Sequence, residues 1–321
     1  MRLHIGLMLD TQDGMDWDLW TSLVAEVEAL GYDSLWCGDH LTSLTGHDES
    51  SRIETWTALT IVAATTKRLR FGPLVSPITW HHPSILALTA ASVDTLSGGR
   101  LEVGIGAGWN AREHRAFGIE MPSLATRCAM LGEAAQVMRL LWADEVVTFN
   151  GRYYQLDAAR ARPRPVQRPG PPLVIGGTGE RRTLPIVARY ADEWNAYSVT
   201  PARYRAKRAV LERCCEEAGR DPAELSHSVV APIAVGATEA DAEARVARLR
   251  ESCPVLFAPA AGAPTLSSLR EQGWIAGTPE QIVDQIGELE TAGVSRVVLE
   301  TADIEDSEPM RIVARDVIPA L

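Results

Sequence analysis

The sequence predicts a closed (β/α)8 barrel (a TIM barrel with insertions), and three observations carry that reading. Eight short apolar runs alternate with eight amphipathic segments, the pattern of parallel βα units. The alternation continues almost to the end of the 321 residues. Glycines and polar side chains cluster just after the apolar runs, as they do at the carboxyl edge of a parallel sheet. A doubly wound open sheet is the alternative topology. No composition shift, repeat or charge run divides the chain, so residues 1–321 read as a single domain.

The strand-like runs are Leu3–Leu9, Ser34–Cys37, Leu69–Val75, Leu101–Ile105, Leu173–Ile175, Glu193–Tyr197, Ser228–Val235 and Arg296–Glu300. Between them lie Trp17–Leu30, Thr55–Thr65, Ile85–Leu96, Ala125–Trp142, Arg181–Arg189, Ala202–Glu217, Ala240–Arg250 and Pro279–Ala292, all with helical periodicity. The first run stops at Asp10, too short for a signal peptide or a membrane span, and reads as a strand. The fourth breaks into Gly104, Gly106 and Gly108, then opens onto Trp109, Asn110, Glu113 and His114. Its alternate glycines do not make the G-x-G-x-x-G of a dinucleotide fold.

Two segments depart from a plain barrel. Val146–Leu156 reads as a β-hairpin with a tight primed turn at Asn150-Gly151. It leads into the proline-rich run Arg162–Pro172, which has no helical option and delivers the chain to the fifth strand. Ser252–Gly273, rich in Ala, Pro and Gly, reads as a long loop of the kind that covers a barrel mouth.

The formal net charge of −11 argues against nucleic acid or an anionic membrane as partner, since both need a basic face. Lys67 and Lys207 are the only lysines. Arginine forks suit an anionic ligand, although compositional bias alone explains the same preference. The five cysteines are odd in number and lack a metal spacing, which fits reduced thiols of a cytoplasmic protein.

In a barrel the chemistry belongs where strands end. Those ends supply Asp10, Asp39-His40, Gly72–Pro77 with Trp80, His81 and His82, Trp109-Asn110, Gly176–Arg182, and Trp194, Asn195 and Tyr197. Aromatic, amide and imidazole groups outnumber acids there, which favours a flat conjugated ligand. No metal site is expected, because adjacent histidines such as His81-His82 rarely chelate one ion. His40 suits proton transfer near neutral pH, but adjacent residues seldom bond each other, so Asp39 and His40 are not a dyad. A helix-capping Asp beside a surface His is the plainer reading. Gly176-Gly177-Thr178-Gly179 with Glu180, Arg181 and Arg182 before a helix is a phosphate cradle or an ordinary turn. Trp36, Trp80, Trp109 and Trp194 are wall candidates, whereas Trp17, Trp20, Trp56, Trp142 and Trp274 read as packing residues.

The runs Leu96–Asn110, Phe149–Leu156, Pro163–Gly177 and Glu180–Asn195 together resemble the luciferase-like monooxygenase superfamily, more narrowly its coenzyme F420-dependent oxidoreductases. The resemblance covers Leu3 to about Tyr197 and, weakly, Gly277–Leu321. It implies a (β/α)8 barrel binding a deazaflavin, with FMN as the alternative cofactor. The cofactor contacts it implies are Asp39, Pro73, Leu74, Ser76, Gly106, Gly108, Asn110, Gly176, Gly177, Thr178, Gly179, Glu180 and Arg181. A non-prolyl cis peptide is expected near Pro73-Leu74. His40 would relay a proton, while Asp10, Trp80, Trp109, Trp194 and Asn195 would face a small-molecule substrate. Sugar-phosphate dehydrogenases of this group carry a glutamate where this chain has Trp109, which argues against their chemistry. A homodimer and a separate reductase are further implications. An FMNH2-dependent two-component monooxygenase and a non-catalytic flavin-binding protein are the competing readings.

Overall fold

Residues 3–253, 257 and 264–321 are described by the computed structural model. In chain order the elements are β1 His4–Leu9, α1 Trp17–Leu30, β2 Ser34–Cys37, α2 Thr55–Thr65, β3 Arg70–Pro73, β4 Ser76–Pro77, α3 Pro83–Ser97, β5 Val103–Gly106, α4 Ala111–Ala116 and α5 Leu124–Ala143. Next come β6 Val147–Asn150, β7 Gln155–Ala159, β8 Leu173–Gly176, α6 Thr183–Tyr190, β9 Glu193–Tyr197 and α7 Pro201–Glu217. The chain continues through β10 Ser226–Val235, α8 Glu239–Ser252, α9 Leu266–Glu271, β11 Ile275–Gly277, α10 Pro279–Thr291, β12 Arg296–Thr301 and α11 Glu308–Ile312.

Neighbouring strands run β3-β2-β1-β12-β10-β9-β8-β5-β4, all parallel. The two ends of that order are halves of one strand: Pro73 pairs with Cys37 on β2, and Ser76 pairs with Ile105 on β5. With the bridge between Phe71 and Leu101, the ring closes into a (β/α)8 barrel. The cis peptide between the halves is Leu74–Val75, one residue beyond the expected Pro73-Leu74.

Helix starts are set by local chemistry. Asp16 accepts from the Leu19 amide, and Thr238 and Thr278 form reciprocal capping boxes. Gly98 ends α3 with φ of 69°, in the left-handed region glycine tolerates. Just beyond it, the Arg100 guanidinium donates to the carbonyls of Ala63, Thr66, Leu69 and Ser97, tying the ends of α2 and α3 to the start of β3. Asp94 accepts from the amides of Val166 and Gln167 and so anchors the proline-rich run. These residues of the family-like stretches hold the scaffold together.

The barrel interior is layered. At the amino-terminal end Arg296 pairs with Glu102 at 2.7 Å and Glu193 at 3.3 Å, and Arg70 also bonds Glu102. Burial opposes a charge on Glu102, but Arg296 and Arg70 outweigh it and hold its carboxyl below the ordinary range. The Arg296 guanidinium also lies 5.1 Å over the Trp36 ring. Above it Met8, Trp36, Leu74, Val174, Val230 and Val298 fill the middle. Trp36 is therefore a core residue and not a ligand wall.

The structure corrects two other expectations. Phe149 pairs with Leu156 and Asn150 with Gln155, so the hairpin connection is Gly151–Tyr154 and not a two-residue primed turn. Neither Asn150 nor Gly151 has the positive φ such a turn needs. Instead the Glu133 carboxylate on α5 accepts from the amides of Arg152, Tyr153 and Tyr154 and shapes a longer loop. The segment Ser252–Gly273 is not loop throughout, since α9 forms behind a Thr265 capping box; residues 254–256 and 258–263 of it lie outside the described residues. Short β11 adds to β10 beside the barrel. No described helix is long and apolar enough to cross a membrane.

Candidate active site

At the carboxyl end of the strands lies a cavity of about 580 Å³. Met8, Leu74, Val75 and Val230 give it an apolar floor; Gly106, Gly108, Gly176 and Gly177 line its walls. Asp10, His40, Asn195, Tyr197 and Glu300 add polar groups, and Trp109 stands at the edge. Trp109 is 65% exposed, an unusual position for a residue of its size.

The alternate glycines of β5 have a packing cause. A Cβ on Gly104 would lie 2.2 Å from the Pro73 carbonyl oxygen, and one on Gly106 2.6 Å from Val75 Cγ2. Gly176 on β8 is similarly close to Val75, at 3.1 Å. The glycines therefore let β5 and β8 close over the junction of β3 and β4, where Val75 projects between them.

His40 and Glu113 form the best-defined polar pair. His40 Nδ1 lies 3.1 Å from Glu113 Oε2, and the Leu41 amide donates to the same oxygen at 3.1 Å. Glu113 sits in the first turn of α4, which Asn110 starts by accepting from the Arg112 amide. With Nδ1 donating to the carboxylate, His40 presents Nε2 to the cavity. Burial works against protonation of His40, but Glu113, with Asp10 and Asp39, outweighs it and raises the pKa. The Trp109 ring meets His40 edge-on, with centroids 5.7 Å apart.

Asp39 and His40 do not bond each other. Asp39 is buried, and its Oδ2 accepts from Ser76 Oγ at 2.5 Å and pairs with His81 Nε2 at 2.8 Å. Ser76 in turn accepts from Trp56 Nε1 at 3.0 Å. The plainer alternative, Asp39 as a helix cap, fails because Glu54 caps α2.

At the far wall Tyr197 donates to Glu300 at 2.7 Å. Burial and the nearby Asp10 charge push Glu300 up to about 8, against the Tyr197 hydrogen bond. Burial also raises Asp10, with His40 opposing.

Other expected site residues fall elsewhere. Trp194 is fully buried, donates to the Gly177 carbonyl at 2.8 Å and stacks on Tyr204 at 5.4 Å. Alternation along β9 turns Asn195 inward, where its Nδ2 donates to Ser228 at 2.9 Å. Trp80 lies in a separate groove with Glu54, Trp56 and His81. The Asn110 side-chain oxygen serves as a helix cap. In the Gly176–Arg181 turn, the Gly179 carbonyl accepts from Thr183 and Leu184, while Glu180 reaches Lys207 at 2.8 Å. The α6 N-terminus has no side-chain cap, and Thr183 there lines the cavity.

Sequence reasoning placed Tyr197 at a strand end and Glu113 at a helix start without a specific role, and it singled out neither Thr183 nor Glu300. One available signal was the phase of Glu300, two residues after the inward Val298 on β12.

An apolar-floored cavity with a few polar groups at the carboxyl end of a barrel is the usual build of a small-molecule site. The chain belongs to the luciferase-like monooxygenase family, whose model matches residues 3–296. It is 35% identical over 158 residues to the F420-dependent glucose-6-phosphate dehydrogenase of Kineococcus radiotolerans, covering 48% of this chain and 45% of that one. Over 231 residues it is 30% identical to the F420-dependent hydroxymycolic acid dehydrogenase of Mycobacterium tuberculosis, covering 69% of this chain and 61% of that one. The chain thus spans about half the length of the curated relatives it matches. A solved F420-dependent secondary alcohol dehydrogenase, in complex with an F420-acetone adduct, superposes over 100% of this chain and 99% of its own, with a TM-score of 0.84 and 25% identity.

Proposed function

We propose that the protein is an F420-dependent oxidoreductase that moves a hydride between the deazaflavin and a small organic substrate. The observation that carries this is the His40–Glu113 pair, which leaves Nε2 facing an apolar-floored cavity. The relatives named above, F420-dependent by name, support the choice of cofactor.

The residues present fit such a group. Leu74, Val75, Gly106 and Gly176 would hold one face of a planar ring, since no side chain stands on the glycine walls. The turn Gly176–Arg181 and the uncapped start of α6 would receive its phosphate end. When bound, the deazaflavin would supply or accept the hydride. The protein's part is to orient the substrate and manage one proton. His40 Nε2 would take the hydroxyl proton of an alcohol as its carbon gives up hydride, or return a proton to a carbonyl that receives it. Trp109 shields that imidazole, while Asn195 and Tyr197 present polar groups to the substrate. Asp39, Pro73, Ser76 and Asn110 would act from behind the lining, by fixing the strand junction and α4. The same reading includes a homodimer and a separate reductase that restores the reduced cofactor.

Titration with F420 and with FMN, followed by fluorescence quenching, tests the cofactor. F420 binding without FMN binding is expected; tight FMN binding with none of F420 would overturn the proposal in favour of a two-component monooxygenase, the activity in the family's own name. In His40→Ala, F420 should still bind while turnover over a panel of alcohols and ketones is lost. Unchanged turnover would remove His40 from the mechanism.

A further inference from the structure

A side chamber of about 240 Å³ adjoins the main cavity, and Asp10, Leu44, Tyr197 and Glu300 line both spaces. Beyond them Ile233, Leu249, Trp274 and Ile304 give the chamber an apolar character. Among the described residues, neither space is lined by a lysine or an arginine. Asp13 also borders the chamber, but its carboxylate is taken by the hydroxyls of Ser43 and Thr45 and the Thr45 amide.

Asp10 and Glu300 remain as the carboxyl groups that line both spaces. Asp10 Oδ1 is buried without a hydrogen-bond partner. Glu300 is half-buried, one strand across from Met8, and Asp10 follows Met8 by two residues on the same face. Burial and the Asp10 charge favour a proton on Glu300, so the two groups present one donor and one acceptor. A hydroxyl group answers both. A carboxylate or phosphate can only accept, so it leaves Asp10 unmatched and adds like charge in a buried site.

We propose that Asp10 and Glu300 select the substrate: an uncharged molecule whose hydroxyl lies between them and whose apolar remainder extends into the side chamber. The inference rests on the cavity being the reaction site, but not on the identity of the cofactor. Glu300 titrates at about 8, so raising the pH removes its proton and the donor with it. The groups that face it are Asp10 from the end of β1, Tyr197 from β9 and His40 across the cavity; β10 contributes the uncharged Val230, Pro232 and Ile233.

The test uses hexanol and hexanoate as probes on the cofactor-free protein, with affinities from ligand-observed NMR at about pH 6.5, below the Glu300 transition. Hexanol should bind at least about tenfold more tightly than hexanoate. In the isosteric double variant Asp10→Asn/Glu300→Gln the gap should fall below about threefold, because hexanoate is admitted. Should that variant fail to fold, Glu300→Gln alone decides. Hexanol affinity should weaken at least about fivefold from pH 7 to 9 in the parent and stay flat in the variant. Equal binding of the two probes by the parent, or the same pH profile in Glu300→Gln, would overturn the selection. Titrating the same preparation with F420 separates the two ideas. Absent F420 binding with the hexanol preference intact removes the proposed activity alone; F420 binding with no preference removes the selection alone.

Discussion

Replacing Glu113 with glutamine removes the charge beside His40 while keeping the size of the side chain. The pair is buried, with side chains 13% and 1% exposed, so solvent screens it little. A hydrogen bond to a charged group contributes about 1.5–3 kcal/mol, and about 2 kcal/mol is a fair central value. Unfolding entropy of about 2.1 cal/mol/K per residue gives about 0.7 kcal/mol/K for this chain. The midpoint of thermal unfolding should therefore fall by about 3 °C. The sign with pH follows from the raised pKa of folded His40. Its stabilisation is fully present below the unfolded value of about 6.5 and is lost as pH rises through the folded one. The gap between parent and Glu113→Gln should thus be widest near about pH 5.5 and shrink toward about pH 9. Calorimetry at both pH values measures the gap, and an NMR titration of the His40 ring reports its protonation. A gap that stays constant with pH, or a His40 that titrates identically in both proteins, would refute the reasoning.

Other expectations concern the scaffold. Gly104→Ala should lower the unfolding midpoint more than Gly106→Ala, because its Cβ meets a backbone carbonyl while Gly106 meets the movable Val75 side chain; the reverse order would disprove the packing account. Arg296→Met leaves Glu102 and Glu193 buried without their shared cation and should cost about 3–5 kcal/mol in urea unfolding. A loss below about 1 kcal/mol would show that Arg70 alone suffices. Trp194→Phe deletes the bond to the Gly177 carbonyl, costing about 1 kcal/mol, and should weaken F420 in the quenching titration by loosening the turn after β8. Unchanged F420 affinity would mean the turn is held without it.

The barrel was legible because most of its strands are short, largely apolar runs separated by amphipathic helices. What escaped were elements too short to have a period. Ser76–Pro77 has two residues and Ile275–Gly277 three, so only their neighbours define them as strands. Asn150-Gly151 misled because local turn preference yields to three amides drawn onto one carboxylate, that of Glu133. The site was legible by position along the chain but not by direction. Trp194 and Asn195 both end a strand, yet only Asn195 faces inward. Neither Glu113 nor Glu300 announces its surroundings in the sequence. Those surroundings come from residues distant in sequence, Glu113 against His40 and Glu300 against Tyr197 and Asp10.

The layer of Arg296, Glu102, Arg70 and Glu193, with Trp36 and the valines above it, also has a kinetic consequence. It stoppers the barrel from below, so nothing leaves the cavity through the amino-terminal end of the strands. Whatever lies against Leu74 and Val75 must arrive first and leave last, because anything near His40 and Trp109 stands above it. A ring seated there could not leave while a substrate stands above it, whereas small probes can still enter the cofactor-free cavity. Product inhibition would report this as competitive against the cofactor only for the form of the cofactor itself.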